Sequence, residues 1–240
     1  MLRKQQIEDG LDLTFSKVFV PYYARVVSTL APSSILEVGG GTGHLALVLA
    51  SRTKKYVVLE PSQGMFAVAR DVLKGTIAEL RQSTIEEFRE EEAYDLVLSH
   101  MCVQVVSNLD KFLKAIAERL SPSGQFLLSL PHPVFYNDYK KFFPREKFRY
   151  IDEQNENISF SITLDPDQVI FDVPYHHRPL MAYISNLAGA CLGVTYMDEV
   201  YPSEEVQNLY GAPWKDPRYL VLGGSKVANG RLTRLTRSTA

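Results

Sequence analysis

Cysteine is nearly missing: Cys102 and Cys191 are the only two in 240 residues. They stand far apart, each in an apolar run, which reads as buried thiols in a reducing compartment and not as a disulfide. So few thiols also give no zinc site. No apolar run approaches the roughly 20 residues of a membrane span, and the opening Met1 to Gln6 leads into no signal-peptide core, so the expected location is the cytoplasm. Neither sign of charge dominates. The 26 basic and 28 acidic residues are well mixed and leave a net charge of −2, which offers nucleic acid no electrostatic footprint. One absent glycine is also informative. The dinucleotide fingerprint G-x-G-x-x-G would need glycine at 39, 41 and 44, and position 44 is His44.

What is present is organised around residues 35–45. Ile35, Leu36 and Val38 read as a short buried strand, a glycine turn follows, and Leu45, Leu47, Val48 and Leu49 recur as the apolar positions of a helix. Glycines there let the backbone approach a ligand closely, and the helix start offers free N–H groups to a polar or anionic one. A second strand, Lys54 to Glu60, ends in an acid about 20 residues beyond the first glycine, the offset at which a carboxylate reaches ribose hydroxyls in nucleoside-binding α/β folds. Ser62 then makes a good helix cap.

An acid followed by G-x-G-x-G, here Glu37, Gly39, Gly41 and Gly43 with Gly40 between, resembles the first motif of the class I S-adenosylmethionine-dependent methyltransferases. Glu60-x-Ser62-x-x-Met65 is similar to the family's second motif, in which the methionine packs on adenine. Ser83-Thr84-Ile85-Glu86 occupies the place where members often carry glycine–aspartate–alanine–glutamate; a threonine replaces the aspartate, and the backbone at Ile85 is left to read the adenine edge. Tyr94 to His100 resembles the family's aspartate–leucine–valine strand, with Ser99 and His100 at its carboxyl end beside the ligand crevice. Leu109 to Leu120 makes an amphipathic helix capped by Asn108 or Ser107, and Ser121 to Gly124 turns into a fifth strand ending at Leu130. The resemblance implies S-adenosylmethionine as cofactor and S-adenosylhomocysteine as product. It assigns cofactor contacts to Glu37, Gly39, Gly40, Gly41, Gly43, Glu60, Pro61, Ser62, Met65, Thr84, Ile85, Glu86, Ser99 and His100.

The expected fold is a Rossmann-like, doubly wound sheet of seven strands in one domain spanning 1–240, parallel except for the last strand. Ahead of it, Phe15 to Leu30 follows helical spacing broken by Pro21, predicting two short helices or one kinked helix. In the family a leading helix closes over the cofactor, which makes Tyr22 and Tyr23 candidates to reach it. From Pro131 the composition turns aromatic and basic. Ile158 to Leu164 and Val169 to Val173 read as a hairpin turning at Asp165-Pro166-Asp167, and residues 131–178 are expected to form a cap over a small-molecule acceptor. A helix from Leu180 to Ala190 and strands at 191–196 and 217–226 close the domain, and the tail from Asn229 reads as frayed.

Methyl transfer is an in-line displacement and needs a base only if the acceptor carries a proton at neutral pH. His132 and His177, flanking the cap at its two junctions with the core, are the leading candidates. Together with Tyr136 and Arg178 they form the expected acceptor site. No metal is expected. Two other readings remain at this point: a cofactor-binding protein without turnover, and a nicotinamide-dependent oxidoreductase, which His44 argues against.

Overall fold

The computed structural model describes residues 2–227; the polar tail from Asn229 lies outside them. Seven strands form one sheet, β1 (Ser34–Val38), β2 (Lys55–Leu59), β3 (Ala78–Arg81), β4 (Tyr94–His100), β5 (Leu120–Pro131), β8 (Leu192–Val200) and β9 (Tyr219–Lys226). Their order is β3-β2-β1-β4-β5-β9-β8. β1 to β5 pair in parallel, and β9 runs antiparallel to both β5 and β8. The expected sheet, with the chain's last strand reversed, is what the chain forms. The remaining two strands, β6 (Gln154–Ile162) and β7 (Asp165–His177), pair only with each other.

Side-chain alternation explains why the sheet is covered on both faces. Leu36, Val38, Val57 and Leu59 point to one side, where α5 (Leu109–Arg119) and α7 (Leu180–Gly189) bury Phe112, Leu113, Ile116 and Leu187 against them. Ile35, Tyr56, Val58, Leu96 and Leu98 point to the other, against α2 (Val20–Leu30) and α3 (His44–Leu49). Caps fall where the sequence put them. Ser62 Oγ accepts the Met65 N–H at the start of α4 (Gln63–Val72), and Asn108 Oδ1 accepts the Lys111 N–H at the start of α5.

Local detail is added or revised in four places. The segment around Pro21 is a π-helical turn, Thr14–Phe19, running straight into α2, with Pro21 in the first positions that lack an intrahelical N–H bond anyway. A further helix, α1 (Leu2–Glu8), precedes it. The hairpin turns at Thr163-Leu164, where Ile162 already faces Asp165, while residues 166–169 of β7 face Ser161 alone. That irregular stretch is where a proline, with no N–H for the ladder, is tolerated in a strand. Cys191 is exposed, at a left-handed position (φ 57°) just after α7, and Cys102 is half-buried.

The strand order reverses between β1 and β4, with β2 on one side and β5 on the other. Open α/β sheets bind ligands at such a point, outside the carboxyl ends of the strands.

Candidate active site

A cavity of about 320 Å³ opens at this point, within the range of small-molecule pockets. Its inner wall is Glu37 and Gly39 to Thr42 after β1, Met65 of α4, and His100 and Met101 after β4. Its outer wall is Tyr136 and Tyr139 of α6 (Tyr136–Lys140), Phe142, and the inward side chains of the β6–β7 hairpin, Ile158, Phe160 and Tyr175.

The glycine turn is fixed by what lies behind it. A Cβ on Gly39, where φ is +74°, would stand 2.5 Å from Cys102 Sγ, and one on Gly40 would stand 2.2 Å from Val58 Cγ1. At Gly41, φ +56°, a Cβ would meet nothing within 4 Å. The first two glycines therefore seat the turn on the core, and the third leaves open space along the cavity wall. Two buried acids flank it. Glu60, at the end of β2, accepts the Gly41 N–H at 2.7 Å with one oxygen and the Ser62 N–H at 2.8 Å with the other. Glu37, 2% exposed, accepts the Tyr56 hydroxyl at 2.8 Å. Burial raises the Glu37 pKa to about 8, countered in part by the Tyr56 hydrogen bond and reinforced by the nearby Glu60 carboxylate. Burial also raises that of Glu60, against its two backbone N–H bonds.

Of the residues assigned to the cofactor, Glu37, Gly39, Gly40, Gly41, Met65 and His100 line the cavity. Gly43 instead lets α3 approach α4, since a Cβ there would stand 3.2 Å from Ala69. Glu60, Pro61 and Ser62 are not among the residues lining the cavity; Glu60 is bonded to the turn at its edge, and Pro61 and Ser62 are exposed. Ser99 is fully buried and donates its hydroxyl to the Val38 carbonyl at 3.0 Å, tying β4 to the end of β1. Thr84 caps its own turn, accepting the Glu87 N–H, Ile85 is a core side chain, and the Glu86 carbonyl accepts Arg89.

Tyr136 is at the cavity, but the other three residues expected to meet the acceptor are not. His132 is buried, bonded through Nε2 to Glu199 at 3.0 Å and through Nδ1 to the Val134 N–H. His177 bonds the Tyr150 carbonyl at 3.0 Å amid the rings of Phe143, Phe148 and Tyr150. Arg178 donates Nη2 to the carbonyls of Val106 and Ser107. These three side chains are spent on holding the junctions, so the structure does not bring the two imidazoles together over the cavity. Tyr22 and Tyr23 likewise bond Tyr196 and Ser129 behind the wall, and Phe15 and Phe19 take the place expected of them.

Several wall residues carry no sequence signal. Asp12 is ion-paired to Arg3 and accepts the Phe15 N–H at 3.0 Å. Lys140 donates to the Ser161 carbonyl at 2.9 Å, and Gln104 to that of Met101 at 2.6 Å. His44, the residue that breaks the dinucleotide pattern, opens α3 at the wall, with Nδ1 bonded to Thr42 Oγ1 at 2.9 Å.

These features fit an S-adenosyl cofactor: an open cradle at Gly41, buried carboxylates on both sides of the turn, and a thioether at Met65. Among the described residues no group of side chains is arranged to hold a metal ion, and no helix is long and apolar enough to cross a membrane.

Residues 36–128 match the family model of the methyltransferase domain. The chain is similar to a malonyl-[acyl-carrier protein] O-methyltransferase of Priestia megaterium, 32% identical over 98 residues, which are 40% of this chain and 36% of that protein. It is also similar to a ubiquinone biosynthesis O-methyltransferase of Rickettsia akari, 28% identical over 110 residues, 45% of this chain and 43% of that one. The chain therefore spans less than half the length of these curated relatives. Among solved structures, an S-adenosylmethionine-dependent methyltransferase from Mesorhizobium loti superposes with a TM-score of 0.66 at 18% identity, over 83% of this chain and 95% of that one. That likeness extends the shared fold well beyond the matched segment. The acid and glycine turn and the reversed last strand agree with the domain match: residues 36–128 are similar to a methyltransferase domain, and the sheet built around them has the Rossmann-like fold of S-adenosylmethionine-dependent methyltransferases.

Proposed function

We propose that this protein transfers a methyl group from S-adenosylmethionine to a small-molecule acceptor held between the glycine turn and a cap formed by residues 131–178. The observation that carries the reading is the composition of the cavity's two walls, one of glycines and buried acids, the other of aromatic side chains from the excursion after β5. Gly41, Glu37, Glu60 and Met65 would hold the cofactor, which supplies an already activated methyl on a sulfonium. The protein's share of the work is then position and dryness. Tyr136, Phe142, Phe160 and Tyr175 supply large apolar faces for an acceptor, and Tyr136 and Tyr139 add hydroxyl groups to orient it. His132 and His177 have no part in this reading, because neither lines the cavity and three of their four ring nitrogens are bonded to Glu199, Val134 and Tyr150. The two curated relatives act, by name, as O-methyltransferases, which supports an oxygen as the atom methylated.

Calorimetry of the full chain with S-adenosylhomocysteine tests the cofactor, and methyl-labelled S-adenosylmethionine added with a small-molecule extract tests the transfer. Replacing residues 144–174 with a short glycine–serine linker is expected to keep S-adenosylhomocysteine binding within severalfold and to abolish label incorporation. The rings of Phe143 and Tyr175 are 6.0 Å apart, so a short linker closes the gap. Absence of binding, or undiminished transfer without the hairpin, overturns the proposal.

A further inference from the structure

His100 sits in the innermost part of the cavity, held by rings and by one hydroxyl. Phe19, Tyr23 and Phe15 surround the imidazole with ring centroids 4.5, 5.4 and 6.0 Å away. Its Nδ1 is 2.8 Å from Ser129 Oγ. The same Oγ lies 2.9 Å from the Tyr23 hydroxyl and 3.2 Å from the Met101 N–H. Three protons, on Tyr23, Ser129 and Met101, have to be placed among these groups. Tyr23 is fully buried, and Ser129 Oγ is the acceptor it has, so its proton goes there. The Met101 N–H approaches the same oxygen as a donor while bonding the Ser129 carbonyl at 3.0 Å. The Ser129 proton then has one partner left, Nδ1 of His100. Any other arrangement buries an unpaired hydroxyl, which natural interiors avoid.

The imidazole's own proton is therefore on Nε2, and Nε2 bonds no other described residue. The corner is rigid as well: Met101 holds a left-handed backbone (φ 50°), pinned by its N–H to Ser129 and its carbonyl to Gln104, a strained conformation of the sort that persists at working sites.

We infer that His100 is a hydrogen-bond donor of fixed tautomer, its Nε2–H orienting the methyl acceptor through an unprotonated oxygen, with a carboxylate the best-matched class. The inference rests on the methyltransferase reading for the word acceptor, but the tautomer and the anion preference stand on the geometry alone. Nδ1 already accepts the Ser129 hydroxyl's hydrogen bond, so this histidine has no nitrogen left to take a proton from a substrate and is not a base. Burial agrees, holding its pKa near 4, so the ring is neutral at working pH. The cavity's charges favour an anion too. Arg3 is matched by Asp12, the Lys140 ammonium meets a carbonyl and the Tyr139 ring but is ion-paired to no described carboxylate, and Glu37 is largely protonated below pH 8. A carboxylate also needs no base to be methylated, which removes the need for the histidines at the cap junctions.

The test is histidine-selective ¹⁵N NMR on the full chain, with His100→Asn identifying the signal. The expected result is a neutral Nε2–H tautomer that does not titrate between about pH 6 and 8, where an ordinary histidine does. In Ser129→Ala the Nδ1–H form should gain population. Benzoate, added to the protein with and without S-adenosylhomocysteine, should move the Nε2 signal, and benzylamine should not. His100→Phe, which keeps a ring among the rings, should bind benzoate about tenfold or more weakly, in line with a lost hydrogen bond to a charged group. An Nδ1–H tautomer, a titration in that window, equal shifts from benzylamine, or a shift produced by S-adenosylhomocysteine with no further effect of benzoate each overturns the inference. Failure of S-adenosylhomocysteine to bind at all overturns the methyltransferase reading instead, and the tautomer and benzoate readings on the free protein still decide this one.

Discussion

On the glycine-turn side of the cavity, β1 and β2 pair in unbroken register from Ser34 to Val38, and every strand residue but the first is buried. On the hairpin side, β6 and β7 lose register twice, and the buried cluster beneath them is three side chains, Phe143, Ile158 and Tyr175. The inner wall has its polar groups closed on one another, Gly41 and Ser62 on Glu60 and Tyr56 on Glu37. The outer wall is fastened at a few points, Tyr139 to Thr163, Lys140 to Ser161 and Gln6 to Asp165. Segments with few buried contacts open at low free energy. Under the proposed function, the first wall would hold its shape and the second would move, as a site that admits a substrate and then excludes water requires.

The contrast is most severely tested by small substitutions on each side. Gly39→Ala puts a Cβ 2.5 Å from Cys102 Sγ at a φ of +74°. The left-handed position costs about 1–2 kcal/mol and the overpacking about 1–3 kcal/mol, so a loss of roughly 2–5 kcal/mol is expected in denaturant titration, with cofactor binding lost. Gly41→Ala meets only the backbone term, because its Cβ has open space, and should fold while binding S-adenosylhomocysteine poorly. On the hairpin, Leu164→Ala, 42% exposed, should change stability by less than about 0.5 kcal/mol. Equal losses at Gly39 and Leu164 would erase the distinction.

Glu60→Ala comes next. Ribose contacts by a charged acceptor are worth roughly 1.5–3 kcal/mol each, so S-adenosylhomocysteine binding should weaken by about tenfold or more. The structure adds a consequence the sequence does not show. Gly41 and Ser62 lose their acceptor, and about 1–3 kcal/mol of stability should go with it. Calorimetric affinity that stays unchanged would remove the role, whatever happens to stability.

A smaller effect separates the walls by pH. The Glu37 pKa is raised in the folded protein, to about 8, so between the usual carboxylate range and that value the native state binds more protons than the unfolded one. Stability is then greatest on the acid side of this transition and declines as pH rises through 8. Melting temperatures should fall from pH 6.5 to 9 in the wild type and stay flatter in Glu37→Gln, which still accepts the Tyr56 hydroxyl. Binding of the cationic S-adenosylmethionine should strengthen over the same interval as the carboxylate ionises, and not in the variant. A wild-type profile as flat as the variant's would show Glu37 ionised throughout.

Sequence reading reached the inner wall because that wall is local. An acid, a glycine turn and a strand-end acid some twenty residues on are a pattern in one dimension, and the alternation of Ile35 with Leu36, or of Val57 with Val58, gives both faces of the sheet. It failed where side chains are used across long separations. Nothing near His132 signals that Glu199 will take its Nε2, nor does the sequence around Arg178 point to the carbonyls at 106 and 107. The expected hairpin turn starts two residues too late because Asp-Pro-Asp has turn chemistry, while the pairing of Ile162 with Asp165 closes the loop at Thr163-Leu164. The Tyr23–Ser129–His100 chain joins α2, β5 and β4, three segments that only the assembled sheet brings together.

A last, local effect tests whether the hairpin is held by its outermost tie. Gln6, 1% exposed in α1, donates Nε2 to Asp165 at the first residue of β7 over 2.9 Å, while its Oε1 accepts Arg3 at 3.1 Å. Asp165→Ala cuts only the far end of that chain and leaves the Arg3–Asp12 pair in place. A single such bond is worth about 0.5–1.5 kcal/mol, and since the hairpin opens as a local unit the loss should appear there and not in global unfolding. Amides in the paired stretch of β7 from Ile170 to Tyr175 should exchange roughly two- to tenfold faster, converting that energy at RT per e-fold, with those of β1 and β4 unchanged. S-adenosylhomocysteine affinity should hold, because no inner-wall group is touched. Acceleration that spreads to β1, or a fall in S-adenosylhomocysteine affinity equal to that of Glu60→Ala, would mean the two walls move as one body and that the cap is not an independent element.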